Sequence, residues 1–144
     1  MTNEIKTIIG PNFPKEVTPI LENAKKTIDI IVFDWRWYSD DPSNPVQKFN
    51  QCLVRAVRRG VVVRALLNSS AILPILDGVG IKAKCPDIEG LVHSKMIIID
   101  EKDLIIGSHN FTQHAFTSNL EISTYMPDYP DVDKLLILFN NLYK

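Results

Sequence analysis

With 144 residues, 45 % of them hydrophobic and 23 % charged, the chain has apolar material for one packed domain and too little for several. Its net charge of −1 argues against a broadly basic surface and leaves room for a local basic patch only. No apolar run approaches the roughly 20 residues that a bilayer span needs. The first residues lack the basic-then-apolar pattern of a leader, and Cys52 and Cys85 are too few and too far apart for a disulfide framework or a zinc site. The expectation is therefore a cytoplasmic chain, or a mature form without its leader, folding as one domain over residues 1–144 with both thiols free and buried.

Ile5 to Ile9 reads as a short strand, closed by the turn cluster Gly10, Pro11 and Asn12. A helix is predicted from about Lys15 to Lys26 with Val17, Ile20, Leu21 and Ala24 as its buried stripe and Pro19 tolerated only near the first turn. Thr27 to Trp35 is almost continuously apolar, which predicts a central strand covered on both faces. The aromatic loop that follows, with Trp35, Trp37 and Tyr38, suits either a site mouth that stacks bases or contacts acyl chains, or a cap on the core or a dimer surface.

From Pro45, residues Phe49, Cys52, Leu53, Ala56 and Val57 recur at helical spacing up to Gly60. The opposite face carries Lys48, Arg55, Arg58 and Arg59, whose mutual repulsion an anionic partner would relieve, although a solvated face explains it as well. Val61 to Leu67 forms the next strand, Ala71 to Leu76 a short helix and Ile81 to Cys85 a brief edge strand. Leu120 to Tyr125 makes the last strand, and a final helix buries Val132, Leu135, Leu136, Phe139 and Leu142. Alternation early and clustered strands late predict an α/β sandwich, a mixed β-sheet flanked by helices.

Between these elements lies the densest stretch, Val92 to Asn110. Met96 to Ile99 and Leu104 to Ile106 read as two antiparallel strands joined by a hairpin, with polar residues only at the open end. Strand alternation points His93 and Lys95 to one face, about 7 Å apart along the chain. With a two-residue loop of Glu101 and Lys102, Lys95 would face Ser108 and His93 would face Asn110, with opposed Cβ atoms roughly 5 Å apart. An imidazole, an ammonium, a hydroxyl and an amide would then converge as a site for an anion.

These residues resemble the phospholipase D superfamily, whose motif is His-x-Lys-x4-Asp-x6-Gly-Ser-x-Asn. His93, Lys95, Asp100, Gly107, Ser108 and Asn110 fill every fixed position, and Asn119-Leu120-Glu121 matches the family's downstream Asn-x-Glu. The resemblance is to the short, single-motif nuclease branch. It implies a metal-independent phosphodiesterase, without cofactor, that cleaves DNA or RNA through a phosphohistidine at a site shared across a homodimer. His93 of one subunit would be the nucleophile and His93 of the other the general acid, with Lys95, Asn110 and Ser108 on the phosphate oxygens. Glu121 would orient the imidazole as the third member of a triad does.

Asp100 falls at the far end of the hairpin and is expected to stabilise the turn, and Gly107 to allow close backbone approach. His109 and His114 fit no common zinc spacing. Arg55, Arg58, Arg59, Arg64, Lys82 and Lys84 are candidate nucleic-acid backbone contacts. Two other functions compete: phospholipid head-group hydrolysis, against which no membrane-binding amphipathic helix is found, and a non-catalytic nucleic-acid-binding dimer, which a motif lacking its histidine or lysine would favour.

Overall fold

The apolar stretch that follows Lys26 becomes an inner strand of a seven-stranded sheet in the computed structural model, which describes residues 4–144. Met1–Asn3, part of the stretch read for a leader, lie outside the described residues. The strands are β1 (Lys6–Ile9), β2 (Thr27–Val32), β3 (Val62–Leu67), β4 (Lys82–Lys84), β5 (Met96–Ile99), β6 (Asp103–Gly107) and β7 (Ile122–Met126). Their spatial order is β1-β7-β6-β5-β2-β3-β4, with β2, β3 and β4 parallel and the remaining neighbours antiparallel. Parallel pairing follows from the connections, since helices separate β2 from β3 and β3 from β4, whereas a turn joins β5 to β6.

The helices are α1 (Asn12–Glu22), α2 (Pro45–Arg58), α3 (Leu73–Gly78, after a 3₁₀ turn at Ser70–Ile72), α4 (Gln113–Thr117) and α5 (Val132–Tyr143). They cover both faces of the sheet. Phe13, Val17, Ile20 and Leu21 of α1, Val46, Phe49, Cys52 and Leu53 of α2, Leu76 of α3 and Phe116 of α4 pack on the side that holds Ile28, Ile30 and Val32 of β2. Leu136 and Phe139 of α5 pack on the other side, against Ile31, Leu66, Met96, Ile98 and Leu104. Alternation along β2 therefore feeds two cores, which explains its unbroken apolarity. Val132, Leu135 and Leu142, expected to be buried, are only half-buried at the rim of the second core.

Several boundaries differ from the sequence reading. α1 begins three residues before Lys15 and ends at Glu22, so Pro19 lies well past the first turn. Pro19 is tolerated there on the exposed side of the helix. The chain leaves the helix where backbone N–H groups of Lys25, Lys26 and Thr27 turn to the Asp100 carboxylate, at 2.7–3.1 Å. β2 ends at Val32 instead of Trp35. Cys52 is buried, and burial pushes its thiol up to about 11, but Cys85, just past the edge strand β4, is exposed.

Candidate active site

The hairpin that carries the motif is closed by Ile99–Lys102, with Asp100 and Glu101 at φ 54° and 60° and the Lys102 N–H donating to the Ile99 carbonyl at 3.1 Å. Two positive φ values are what a type I′ turn requires. Lys102 is then an extra residue before pairing begins, and Ile99 pairs with Asp103. The register therefore sits one residue from the one expected. Lys95 faces Gly107, whose N–H donates to the Lys95 carbonyl at 3.2 Å, and not Ser108. At Gly107 a Cβ would fall on Ile122 O and on Cα and Oγ of Ser123, so β6 and β7 approach there as only glycine permits.

His93 and Lys95 precede β5 and meet directly, with Lys95 Nζ 3.2 Å from His93 Nδ1 and 3.5 Å from Nε2. Phe33, at the end of β2, backs both. Its ring centroid is 5.1 Å from that of His93 and 5.8 Å from Lys95 Nζ. An apolar wall behind an exposed imidazole and a half-buried ammonium suits a site for an anion.

Ser108 and Glu121 form a second cluster at the same end of the sheet. Ser108 Oγ–H donates to Glu121 Oε1 at 2.5 Å and accepts the Ile122 N–H at 3.0 Å, and Asn119 Nδ2 donates to Glu121 Oε2 at 3.1 Å. Both carboxylate oxygens of Glu121 are thus engaged by Ser108 and Asn119, and not by the His93 imidazole of the same chain, as the triad analogy had it. Asn110 accepts the Asp34 N–H on Oδ1 at 3.0 Å, which leaves its Nδ2 as a donor. Asp34 and Arg36 flank it because the Asp34–Arg36 segment runs beside Asn110–Phe111, with the Phe111 N–H on the Asp34 carbonyl and the Arg36 N–H on the Phe111 carbonyl, each at 3.0 Å.

A buried amide network holds that segment in place. Trp35 Nε1–H donates to Asn50 Oδ1 at 2.8 Å, Asn50 Nδ2 donates to the Arg36 carbonyl and to Gln47 Oε1, and Gln47 Oε1 also accepts the Tyr38 N–H. Trp35 is therefore buried structure, and Trp37 and Tyr38 are half-buried against the same core. Gln47 and Asn50 escaped the sequence reading; two amides on the apolar face of a helix were the available signal. Arg36, in a bidentate pair with Asp34 at 2.9 and 3.3 Å, was likewise missed, although it follows the carboxyl end of a parallel strand, where ligands of α/β sheets bind. Asp34 raises its pKa further, by hydrogen bonding and by charge.

Asp100 stands at the opposite end of the hairpin. Burial pushes its carboxyl up, but the backbone donors of Lys26, Lys25 and Thr27, helped by Lys102, prevail and hold it below the usual range. His109 is in the core, stacked on Phe13 at 4.4 Å and bonded to Ser123 Oγ at 2.7 Å and the Gly10 carbonyl at 3.0 Å. Burial lowers its pKa, against the Gly10 carbonyl and Glu121, which raise it. His114 is exposed and bonds Ser118. Among the described residues no three His, Cys, Asp or Glu side chains gather as a metal cluster would.

The candidate backbone contacts lie elsewhere. Arg59 donates to the Leu21 and Ala24 carbonyls, Arg55 pairs with Glu22 at 3.5 Å, and both sit where α2 ends, beside the start of β2. β2 spans six residues, so they are about 20 Å from the carboxyl end that holds the site. Arg58 is exposed at that same far end. Arg64 pairs with buried Asp29 at 2.8 Å, bonds Asn140 and lies over the Phe139 and Tyr143 rings. Lys84 donates to the Tyr143 carbonyl, and the Lys82 carbonyl accepts the Tyr143 hydroxyl. Arg64, Lys82 and Lys84 thus border the docked C-terminal helix and not the motif.

The sheet order and the histidine–lysine cluster at its open end define an α/β sandwich of the phospholipase D type. The chain belongs to the PLD-like domain family, described as cardiolipin synthase, PLD-like domain, which matches residues 17–143. It is similar to a phospholipase D of Rickettsia conorii, 40 % identical over 75 residues covering 48 % of this chain and 38 % of the relative. The corresponding Rickettsia bellii protein is 36 % identical over 90 residues, 58 % of this chain and 45 % of the relative, so the similarity spans less than half of each relative's length.

Among solved structures, the phospholipase D family member Nuc from Salmonella typhimurium superposes with a TM-score of 0.81 at 20 % identity, covering 97 % of this chain and 93 % of that one. NucT from Helicobacter pylori gives 0.73 at 16 %, covering 96 % and 94 %. TrmBL2, an archaeal chromatin protein with a novel mode of DNA binding, gives 0.62 at 20 %, covering 95 % of this chain and 51 % of that one. At these identities the likeness is one of fold.

Proposed function

We propose that the chain is a metal-independent phosphodiesterase that cleaves nucleic acid as an endonuclease, at a site shared by two copies. The observation that carries this reading is the direct contact of His93 with Lys95 at an exposed, aromatic-backed sheet end, at 3.2 Å, with the Asn110 Nδ2 donor at the same end. One imidazole nitrogen of His93 attacks phosphorus, and the phosphorus–oxygen bond to the leaving alkoxide breaks. The alkoxide takes a proton from His93 of the second copy. Water then attacks the phosphohistidine, giving its proton to that second imidazole and releasing the first. Lys95 and Asn110 donate to the non-bridging oxygens, where charge builds in the transition state. Ser108 gives its one hydroxyl proton to Glu121 and so brings no donor to the phosphate in this arrangement; the pair buttresses the sheet end beside it.

The need for two imidazoles supports the dimer, because the other two histidines are a core residue and a helix-surface residue. A surface for the second copy is at hand. Ile9, Ile106 and Ile122 share the sheet face that α5 leaves uncovered and are 52 %, 37 % and 52 % exposed. Ser108 continues the row of Ile106, so a twofold contact there would bring two catalytic ends together.

Phospholipid hydrolysis is the second reading, favoured by the name that the Rickettsia relatives carry. No helix among the described residues is long and apolar enough to cross a membrane. The deciding experiment incubates the protein with labelled single- and double-stranded DNA, RNA and phospholipid vesicles in excess chelator. Cleavage of nucleic acid is expected. Cleavage of lipid alone would replace the substrate, binding of nucleic acid without turnover would make the chain a non-catalytic binder, and activity that returns only with added metal would overturn the mechanism.

A further inference from the structure

Beside His93 a cavity of about 340 Å³ opens at the carboxyl ends of β2 and β3, with Phe33, Asp34, Arg36, Leu67, Asn68 and Ile72 in its wall. It borders the site through Phe33, which lines it and packs against the His93 ring. Asn68 Oδ1 accepts the Val92 N–H at 3.0 Å, one residue before His93, and its Nδ2 has no partner among the described residues. The charged groups are Arg36 and the Asp34 carboxylate that it neutralises. Two of the five Arg36 N–H donors are held by Asp34, the Arg36 side chain is 62 % exposed, and three donors remain. Asp34 in turn gives its backbone N–H to Asn110, so Arg36 is two hydrogen bonds from the amide assigned to the scissile phosphate.

We propose that this cavity receives the nucleoside next to the scissile phosphate and that Arg36 donates to the following phosphate, favouring a nucleic-acid strand over a substrate with one phosphodiester. This rests on the nucleic-acid reading. The volume lies in the range of small-molecule sites. Phe33, Leu67 and Ile72 offer apolar walls to a base, and Asn68 Nδ2 offers a donor to its edge or to the sugar. Arginine's planar fork suits a phosphate, and the Asp34 pair holds it in register without using it up. A lone phosphodiester would engage His93, Lys95 and Asn110 and leave Arg36 with Asp34 as its one anion.

The test compares kcat/KM for dinucleotides with one phosphodiester and trinucleotides with two, in ribo and deoxy forms and in chelator. Wild type should favour the trinucleotide about fivefold, the scale of one exposed ion pair. Asp34→Asn with Arg36→Gln, which leaves no unpaired carboxylate behind, should bring that ratio, counted per cleavable bond, to about one and lower the salt dependence for the trinucleotide by about 0.7 in log–log slope. Asp34→Asn alone should keep the preference, and Arg36→Lys should keep part of it. Turnover of both lengths with a ratio indifferent to Arg36 would overturn the subsite and leave the nucleic-acid reading standing. No turnover of either length would overturn the subsite, and together with uncut long DNA and RNA it would overturn both.

Discussion

Replacing Asp100 with Asn keeps the shape of the side chain and removes its charge. Oδ1 accepts from Lys25, Lys26 and Thr27 at 3.0, 2.7 and 3.1 Å, and Oδ2 accepts from Lys25 at 3.0 Å. Asparagine retains one acceptor, turns an NH₂ group toward the Lys25 N–H and loses charge assistance on the rest. Charge-assisted bonds contribute about twice as much as neutral ones, so the loss should be about 2 kcal/mol, measured by urea unfolding at neutral pH. The folded carboxyl titrates below its ordinary value of 3.8. Its stabilisation is therefore present above pH 3.8 and is lost as pH falls through the lower folded pKa, and the two proteins should converge in stability in acid. Five residues separate Asp100 from Lys95, about 16 Å along the strand, so kcat/KM of the folded variant should stay within about twofold of wild type. Equal stability at neutral pH would refute the capping role. A drop of more than tenfold in kcat/KM, in protein shown to be folded, would place Asp100 in the catalytic machinery.

Excess inactive His93→Ala chains mixed with wild type, under conditions of subunit exchange, should suppress activity beyond dilution; mixed dimers with half the wild-type activity would refute the shared site. Ile106→Glu, on the uncovered sheet face, should leave the fold intact, shift sedimentation to the monomer and abolish turnover. A fully active monomer would remove both the face and the dimer from the mechanism. Burial sets the folded pKa of His109 below its ordinary 6.5. As pH falls below about 6.5 the unfolded chain takes up a proton that the folded one refuses, so stability should decline there and level off below the folded pKa. His109→Gln should flatten that decline, and an unchanged pH profile would show that another group carries it.

Much of this was legible along the chain because it depends on near neighbours. Alternation places His93 and Lys95 on one face, and their side chains meet. The apolar run after Lys26 required cover on both sides, and β2 has it. The motif spacing gave the family, which the match over residues 17–143 shows. What the sequence could not decide was set by contacts between distant segments. The hairpin register turned on Asp100, which leaves its own turn for the loop after α1, while Asp100 and Glu101 adopt positive φ. Glu121 met Ser108 because β6 and β7 close on each other at Gly107. The basic residues looked like one patch only as a list of charges; packing put Arg55, Arg58 and Arg59 at the far end of the sheet and Arg64 on Asp29. Arg36 gained its place beside the site from a buried amide network on α2. Periodicity decides which face a side chain takes, because that follows from backbone geometry alone. Which partner it finds there depends on how the layers pack, and only the tertiary structure decides that.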